Sequence, residues 1–137
     1  MNGGVKRGLC VILVGAMFLL FCAGCSQQPV PEGMNKERVL EAGSNVAELL
    51  GTGKVEEIYQ MFRPDVAKSL TVEDVASLVP DSGAWVGVTG GDAIGQTNEA
   101  NGESYAMAIL ICQFEKGKVT ISASFDAQMN LIGLRRG

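Results

Sequence analysis

The sequence predicts an α+β domain, with helices in its first half and hairpin-linked strands in its second half. Up to Pro80, apolar residues recur at spacings of three and four, as on one face of a helix. After Gly83 they alternate with a period of two, and short turn signals separate the segments, as in antiparallel strands. This order indicates N-terminal helices packed against one face of an antiparallel sheet.

The first predicted helix begins after Asn35, a favourable N-cap residue, and ends at Gly51 and Gly53. Its buried face is a stripe at offsets of four, seven and eleven: Val39, Gly43, Val46 and Leu50. A glycine inside a helix costs up to about 1 kcal/mol relative to alanine. Gly43 in this stripe therefore indicates that another element packs closely there.

Two shorter helices are predicted to follow the first one. The apolar residues of the second helix lie on one face: Val55, Ile58, Tyr59 and Phe62. Pro64 is expected to end it, because proline is incompatible with a helix interior. Thr71 and Asp74 have the spacing of a capping box at the start of the third helix, and Pro80 closes that helix.

The second half contains four predicted strand segments. They lie at residues 84–97 (interrupted at Gly90 and Gly91), 105–114, 119–125 and 131–134. The segment 105–114 is apolar except at Gln113, so it is expected to be a central strand covered on both faces. The segment 119–125 alternates apolar and polar residues and is expected to be buried on one face only.

Residues 1–24 have the parts of an export signal. Lys6 and Arg7 give a positive start, and residues 9–21 form an uncharged apolar run. That run of thirteen residues is shorter than the roughly 20 needed to span a bilayer as a helix. It ends in Cys22-Ala23-Gly24-Cys25, which resembles the bacterial lipobox rather than an ordinary cleaved signal or an uncleaved anchor.

The lipobox resemblance implies that Cys25 carries lipid and becomes the first residue of the mature protein. We therefore expect a lipoprotein anchored to the cell membrane and facing outside the cytoplasm. Residues 25–34 would be the lipidated cysteine and a flexible tether, since residues 26–33 are polar and contain two prolines. Residues 35–137 would be the α+β domain.

Composition narrows the chemistry that this domain can perform. The chain contains no histidine, which removes the commonest general acid/base, the usual nucleophile pairs and nearly every zinc site. Removal of Lys6 and Arg7 with the signal leaves nine basic and fifteen acidic residues, which argues against nucleic acid as a partner. Cys112 would be the sole thiol left for a disulfide, and its apolar strand predicts a buried, unreactive side chain. We expect no cofactor and no metal.

Several segments together resemble a known bacterial family. They are residues 53–66 (GKVEEIYQMFRPDV), 70–75 (LTVEDV), 82–85 (SGAW) and 119–134 (VTISASFDAQMNLIGL). Their order is similar to that of the family called domain of unknown function 3887, in the nuclear-transport-factor-2-like (cystatin-like α+β) group. The resemblance covers about residues 36–134 and implies a curved sheet around the first helix, forming a cone with an apolar cavity. The family has no agreed catalytic residues, so none are transferred.

These observations predict a non-enzymatic binding or accessory domain. The candidate cavity-lining residues are aromatic: Tyr59, Phe62, Trp85 and Tyr105. They would suit a small apolar ligand or a peptide.

Two alternatives remain open from the sequence. The first is a small cone-fold enzyme that uses carboxylate and tyrosine acid/base chemistry. Its available groups would be Tyr59, Tyr105, Asp92, Glu99, Glu103 and Asp126, although each of these carboxylates lies beside a turn signal. The second alternative is an interaction module that pairs through its sheet, for example as a homodimer.

Overall fold

Residues 28–137, which the computed structural model describes, contain four helices followed by four strands. The helices are α1 (Lys36–Gly51), α2 (Val55–Met61), α3 (Pro64–Ala67) and α4 (Val72–Ala76). The strands are β1 (Trp85–Thr97), β2 (Ser104–Phe114), β3 (Gly117–Phe125) and β4 (Leu131–Arg136). They form one open antiparallel sheet in the order β1-β2-β3-β4. The predicted α+β class, with helices packed against a curved antiparallel sheet, is confirmed.

The signal peptide and the lipidated Cys25 were predicted on residues that lie outside this described range. The predicted tether, residues 25–34, falls partly within it. From Gln28 onward the chain contacts the sheet, beginning with a hydrogen bond from the Gly95 N–H to the Gln28 carbonyl.

The helix α1 packs along one face of the sheet, which we call the inner face. Asn35 caps the helix, and its side chain accepts a hydrogen bond from the Arg38 N–H at 3.1 Å. The predicted stripe is buried, together with Ala47: Val39, Gly43, Val46 and Leu50. At Gly43 the helix approaches β2 so closely that a Cβ there would lie 2.5 Å from the Cβ of Ala108. Small residues on both elements thus let α1 lie directly on the sheet. This contact fills the position at which the resemblance implied an apolar cavity.

The three short helices follow the predicted caps with one addition. Thr71 and Asp74 form the predicted capping box of α4, with hydrogen bonds of 3.1 and 2.8 Å. Pro64, expected only to end a helix, also begins α3. Its fixed φ and missing N–H suit the first position of a helix, so one proline serves both roles. Phe62, between α2 and α3, is extended and buried.

The strand β1 is continuous where the sequence predicted two segments around Gly90 and Gly91. Its register with β2 shifts between Trp85 and Gly87 and again between Val88 and Gly90. Such bulges bend a strand without ending its pairing. The glycines therefore mark bends within one strand.

The prediction that β2 is covered on both faces is wrong within the described residues. Its inner-face side chains are buried: Ala106, Ala108, Leu110, Cys112 and Phe114. On the opposite, outer face, Met107 and Ile109 are only partly buried and Ile111 is 41% exposed. The helix α1 packs on the inner face, and no other element of residues 28–137 covers the outer face of β2.

Cys112 is buried on the inner face of β2, as its apolar strand predicted. Burial raises the pKa of the Cys112 thiol to about 11, because the thiolate loses its hydration. The thiol is therefore protonated near neutral pH and is not a nucleophile.

Candidate binding groove

An apolar groove lies between β4 and the short helices α3 and α4. Pro64 and the Thr71 capping box fix where those helices begin, and each helix presents apolar residues toward β4. The groove has a volume of about 220 Å³. It is lined by Phe62, Val66, Leu70, Asp74, Val75, Leu78, Ile132, Gly133 and Leu134. Asp74, the one charged residue in the lining, also caps α4.

The groove borders a free strand edge. The Gly137 N–H donates to the Thr120 carbonyl at 2.8 Å, which places Gly137 in a hydrogen-bonded pair with β3. Antiparallel strands alternate between pairs that exchange hydrogen bonds and pairs whose backbone groups point outward. The N–H and C=O groups of Leu134 and Arg136 therefore point away from β3, and they have no partner within residues 28–137. Unpaired groups of this kind are a template for another strand.

The start of the same edge is already occupied by the chain itself. Phe62 forms an isolated parallel bridge with Leu131, and the Arg63 N–H donates to the Leu131 carbonyl at 2.9 Å. The segment before α3 thus covers the first residue of β4. The part of the β4 edge that is free to pair with another strand begins after Leu131, beside the groove.

Arg63 joins three parts of the fold through its guanidinium group. It makes two hydrogen bonds to Asp65, at 2.7 and 3.1 Å. It also binds Glu103, in the β1–β2 connection, at 2.7 and 3.4 Å, and Asp126, in the β3–β4 turn, at 3.2 Å. These contacts use all five N–H donors of the group. Hydrogen bonds to Asp65, Glu103 and Asp126 raise the pKa of Arg63, so its charge is fixed.

Asp126 is the buried member of this cluster, with 2% exposure. One carboxylate oxygen accepts from the backbone N–H groups of Gln128 and Asn130, at 3.0 and 2.8 Å. The other accepts from the Asn130 side chain at 3.1 Å and from Arg63. Burial acts to raise the pKa of Asp126, but these hydrogen bonds from Asn130, Arg63 and Gln128 outweigh it and hold the pKa below its ordinary value.

The four predicted cavity-lining residues do not meet in one cavity. Phe62 lines the groove. Tyr59 is partly buried, and its hydroxyl donates to the Ala67 carbonyl at 3.1 Å, which ties α2 to α3. Trp85 packs against Gly51 at the end of α1, with its ring 5.5 Å from that of Phe114 in an edge-on arrangement. Tyr105 lies on the outer face, on the side of the sheet opposite to α1.

Three of the four carboxylates considered for acid/base chemistry have structural partners, whereas Glu99 lies exposed in the connection between β1 and β2. Asp92 forms an exposed ion pair with Lys36 at 2.8 Å, and its hydrogen bonds to Lys36 and Ala93 lower its pKa. Glu103 and Asp126 both bind Arg63. Within residues 28–137, no group of three His, Cys, Asp or Glu side chains is placed to hold a metal ion. None of the helices in this part of the chain combines the length and hydropathy required to cross a membrane.

The outer face of the sheet carries a second, shallower feature. An open depression of about 610 Å³ runs across β1, β2 and β4. Its centre is apolar, formed by Ile94, Met107, Ile109 and Ile111. Asp92 and Arg135 lie on opposite sides of this centre.

Two features of these sites were not anticipated from the sequence. The contacts of Arg63 with Glu103 and Asp126 had no local signal, because these two partners lie 40 and 63 residues away along the chain. The groove depends on α3, which the sequence showed only as a proline after a helix. The Pro64-Asp65 pair was the available signal, since proline followed by an acidic residue favours the first turn of a helix.

Comparison with known proteins places the chain in a family. The family described as Protein of unknown function (DUF3887) matches residues 43–134. The chain is also similar to a solved structure described as the NMR structure of a protein from Ruminococcus gnavus ATCC 29149. The two are 25% identical with a TM-score of 0.67, over 79% of this chain and 96% of that chain. Among curated proteins, none matches the chain. The family match spans the groove and nearly all of the sheet, and the chain belongs to the DUF3887 family of proteins of unknown function.

Proposed function

We propose that this protein is a lipid-anchored, extracytoplasmic binding module that captures a short extended segment of another protein. The observation that carries this proposal is the apolar groove beside the unpaired edge of β4. An extended peptide beside a strand edge gains backbone hydrogen bonds from the strand and specificity from a neighbouring pocket.

The anchor is supported by the sequence around Cys25. Ala23 and Gly24 precede this cysteine at the end of an apolar run, as in lipoprotein signals. Each buried methylene of an acyl chain contributes about 0.8 kcal/mol, so two or three chains hold a domain firmly to a bilayer. A binding module needs such an anchor if it acts on partners at a membrane surface.

Replacement of Cys25 tests the anchor in the native host. In Cys25→Ala the acceptor thiol is absent, so we expect unprocessed precursor and loss of the lipid-modified species, measured by fractionation and mass spectrometry. The matched control is Cys22→Leu, which removes the neighbouring cysteine and should be processed and lipidated like the wild type. A Cys25→Ala protein with wild-type processing and membrane attachment would contradict the proposal.

The groove limits what the bound segment can be. Its volume of about 220 Å³ suits one or two large apolar side chains, rather than a folded domain or a drug-sized ligand. Leu134 and Arg136 offer backbone pairing over a few residues only, so the segment is short. Arg135 and Arg136 end the strand and favour an acidic residue in the segment at that end.

Binding fits the local chemistry better than catalysis does. Arg63 occupies the carboxylates of Glu103 and Asp126, and the Tyr59 hydroxyl donates to a backbone carbonyl. An acid/base pair needs a carboxylate facing a free donor across a pocket. The described groups instead hold α2, α3 and two turns together.

A peptide library tests the groove directly. We expect a phage-displayed library of random dodecapeptides, selected on residues 25–137 carrying Cys25→Ala, to yield peptides with a large apolar residue close to an acidic one. In NMR titrations such a peptide should shift the amide signals of Val66, Leu70 and Leu134. Leu70→Arg should abolish binding, because it places a charge in the apolar lining.

The matched control for Leu70→Arg is Ile111→Arg, which places the same charge on the outer face. Peptide binding should survive in Ile111→Arg. If no peptide of this pattern is enriched, or if binding is lost in Ile111→Arg and retained in Leu70→Arg, the groove is not the binding site.

Self-association through the outer face is a second candidate function. Within residues 28–137 the apolar centre formed by Ile94, Met107, Ile109 and Ile111 is uncovered, and exposed apolar patches mark interaction sites. Asp92 and Arg135 flank it on opposite sides. A two-fold axis parallel to the strands would place β1 of one copy over β4 of the other, so that these opposite charges face each other.

A further inference from the structure

The segment 28–34, which we call the strap, lies along the edge of β1 that does not pair with β2. The Gly95 N–H donates to the Gln28 carbonyl at 2.9 Å, and Gly95 is buried although β1 is an edge strand. A Cβ at Gly95 would overlap the Pro29 carbonyl oxygen. The strap therefore requires a glycine at this position.

Further contacts fix the strap between the β1 edge and the start of α1. The Met34 N–H donates to the Pro31 carbonyl at 3.0 Å and closes a turn, while Val30 and Met34 pack partly against the core. Two prolines restrict φ along the strap, so little conformational entropy is lost when it docks. The chain is thus held from Gln28 onward.

Gln28 lies only three residues after Cys25 along the chain. Three residues span at most about 11 Å, whereas the ten residues from Cys25 to Asn35 would span up to about 35 Å if the strap were free. The four-stranded sheet is about 14 Å wide between its outermost strands, because neighbouring strands are about 4.8 Å apart. The docked strap therefore leaves the anchor less reach than the width of the sheet.

We propose that the strap holds the domain with its β1 edge against the bilayer and its β4 edge, with the groove, turned away from it. This proposal rests on lipidation of Cys25. Attraction to lipid is not what sets the orientation, since the mature chain is acidic and anionic headgroups repel it. The β1 edge contacts the lipid headgroup region, because the tether between the lipid anchor and this edge is short.

Headgroup-attached quenchers test this orientation in the mature lipoprotein, reconstituted into phosphatidylcholine–phosphatidylglycerol vesicles. A fluorescent amino acid at Thr97, near the strap on β1, should be quenched by a headgroup spin-labelled lipid. The same fluorophore at Arg136, at the end of β4, should not be quenched. In Gly95→Val the side chain displaces Pro29, and the quenching at Thr97 should fall to the level seen at Arg136. Equal quenching at the two positions in the wild type would overturn the proposal.

A second variant and a second measurement guard against misfolding of Gly95→Val. A flexible ten-residue insertion between Gln27 and Gln28 leaves the fold untouched and should also abolish quenching at Thr97. The Gly95 amide should exchange slowly with deuterium in the wild type, and fast exchange would contradict a docked strap. Failure of the anchor itself would appear differently, as wild-type protein that never fractionates with membranes.

Discussion

Replacing Asp126 with alanine is expected to lower the free energy of unfolding by about 3 kcal/mol. The carboxylate is buried and accepts hydrogen bonds from two backbone N–H groups, from the Asn130 side chain and from Arg63. Each buried donor left without a partner costs about 1–3 kcal/mol, and hydrogen bonds to charged groups are among the stronger ones. Urea unfolding followed by circular dichroism at neutral pH measures the loss.

Asp65→Ala is the matched control, because Asp65 binds the same guanidinium group from an exposed position. Exposed ion pairs contribute little, so this variant should unfold close to the wild type. Equal losses in the two variants would show that burial of Asp126 is not the cause.

The dependence of the free energy of unfolding on pH, in the acidic range, gives an independent check on the role of Asp126. Its pKa is held below the ordinary value of 3.8 in the folded state, because the hydrogen bonds from Asn130, Arg63 and Gln128 outweigh burial. A lowered folded pKa means that the contribution is complete above the unfolded pKa and is lost as pH falls through the folded pKa. The stability difference between wild type and Asp126→Ala should therefore narrow below about pH 4.

Replacing Gly43 with valine is expected to lower the free energy of unfolding by about 3 kcal/mol as well, through overpacking. The first added carbon would already lie 2.5 Å from the Cβ of Ala108, and α1 and β2 are both continuous at this point. Even Gly43→Ala should destabilise the protein, although alanine favours a helix by about 1 kcal/mol. Thermal and urea unfolding of the two variants measure the effect.

A double substitution separates the contact from helix propensity. Adding Ala108→Gly to Gly43→Ala removes the overlapping methyl group, so part of the lost stability should return. Asn45→Ala, at an exposed position of α1, reports propensity alone and should be neutral or slightly stabilising. A stabilised Gly43→Ala protein would show that α1 does not approach β2 this closely.

Features that depend on near neighbours in the chain could be predicted from the sequence. The Asn35 cap, the capping box of Thr71 and Asp74 and the close contact at Gly43 each carry a local signal, and each is present in the structure. Hydrogen bonds over three residues and helical periodicity need no knowledge of the rest of the fold. That is why these elements could be assigned correctly.

Features that depend on distant residues could not be predicted in the same way. Arg63 resembles any surface arginine until the β1–β2 connection brings Glu103 beside it and the β3–β4 turn adds Asp126. The outer face of β2 was expected to be covered because Ile109 and Ile111 are apolar. A periodicity shows which residues avoid water on average, but not whether another layer is available to cover them.

The strand order has a consequence for how this domain reaches its folded state. Among residues 28–137 the four strands pair in sequence order, so the sheet can assemble as successive hairpins that close short loops. The helix α1 differs, since it contacts β1, β2 and β3, and β3 begins 66 residues after Gly51. Its docking closes a far longer loop, which is entropically unfavourable. We therefore expect the docking of α1 onto the assembled four-stranded sheet to be a late step that limits the folding rate.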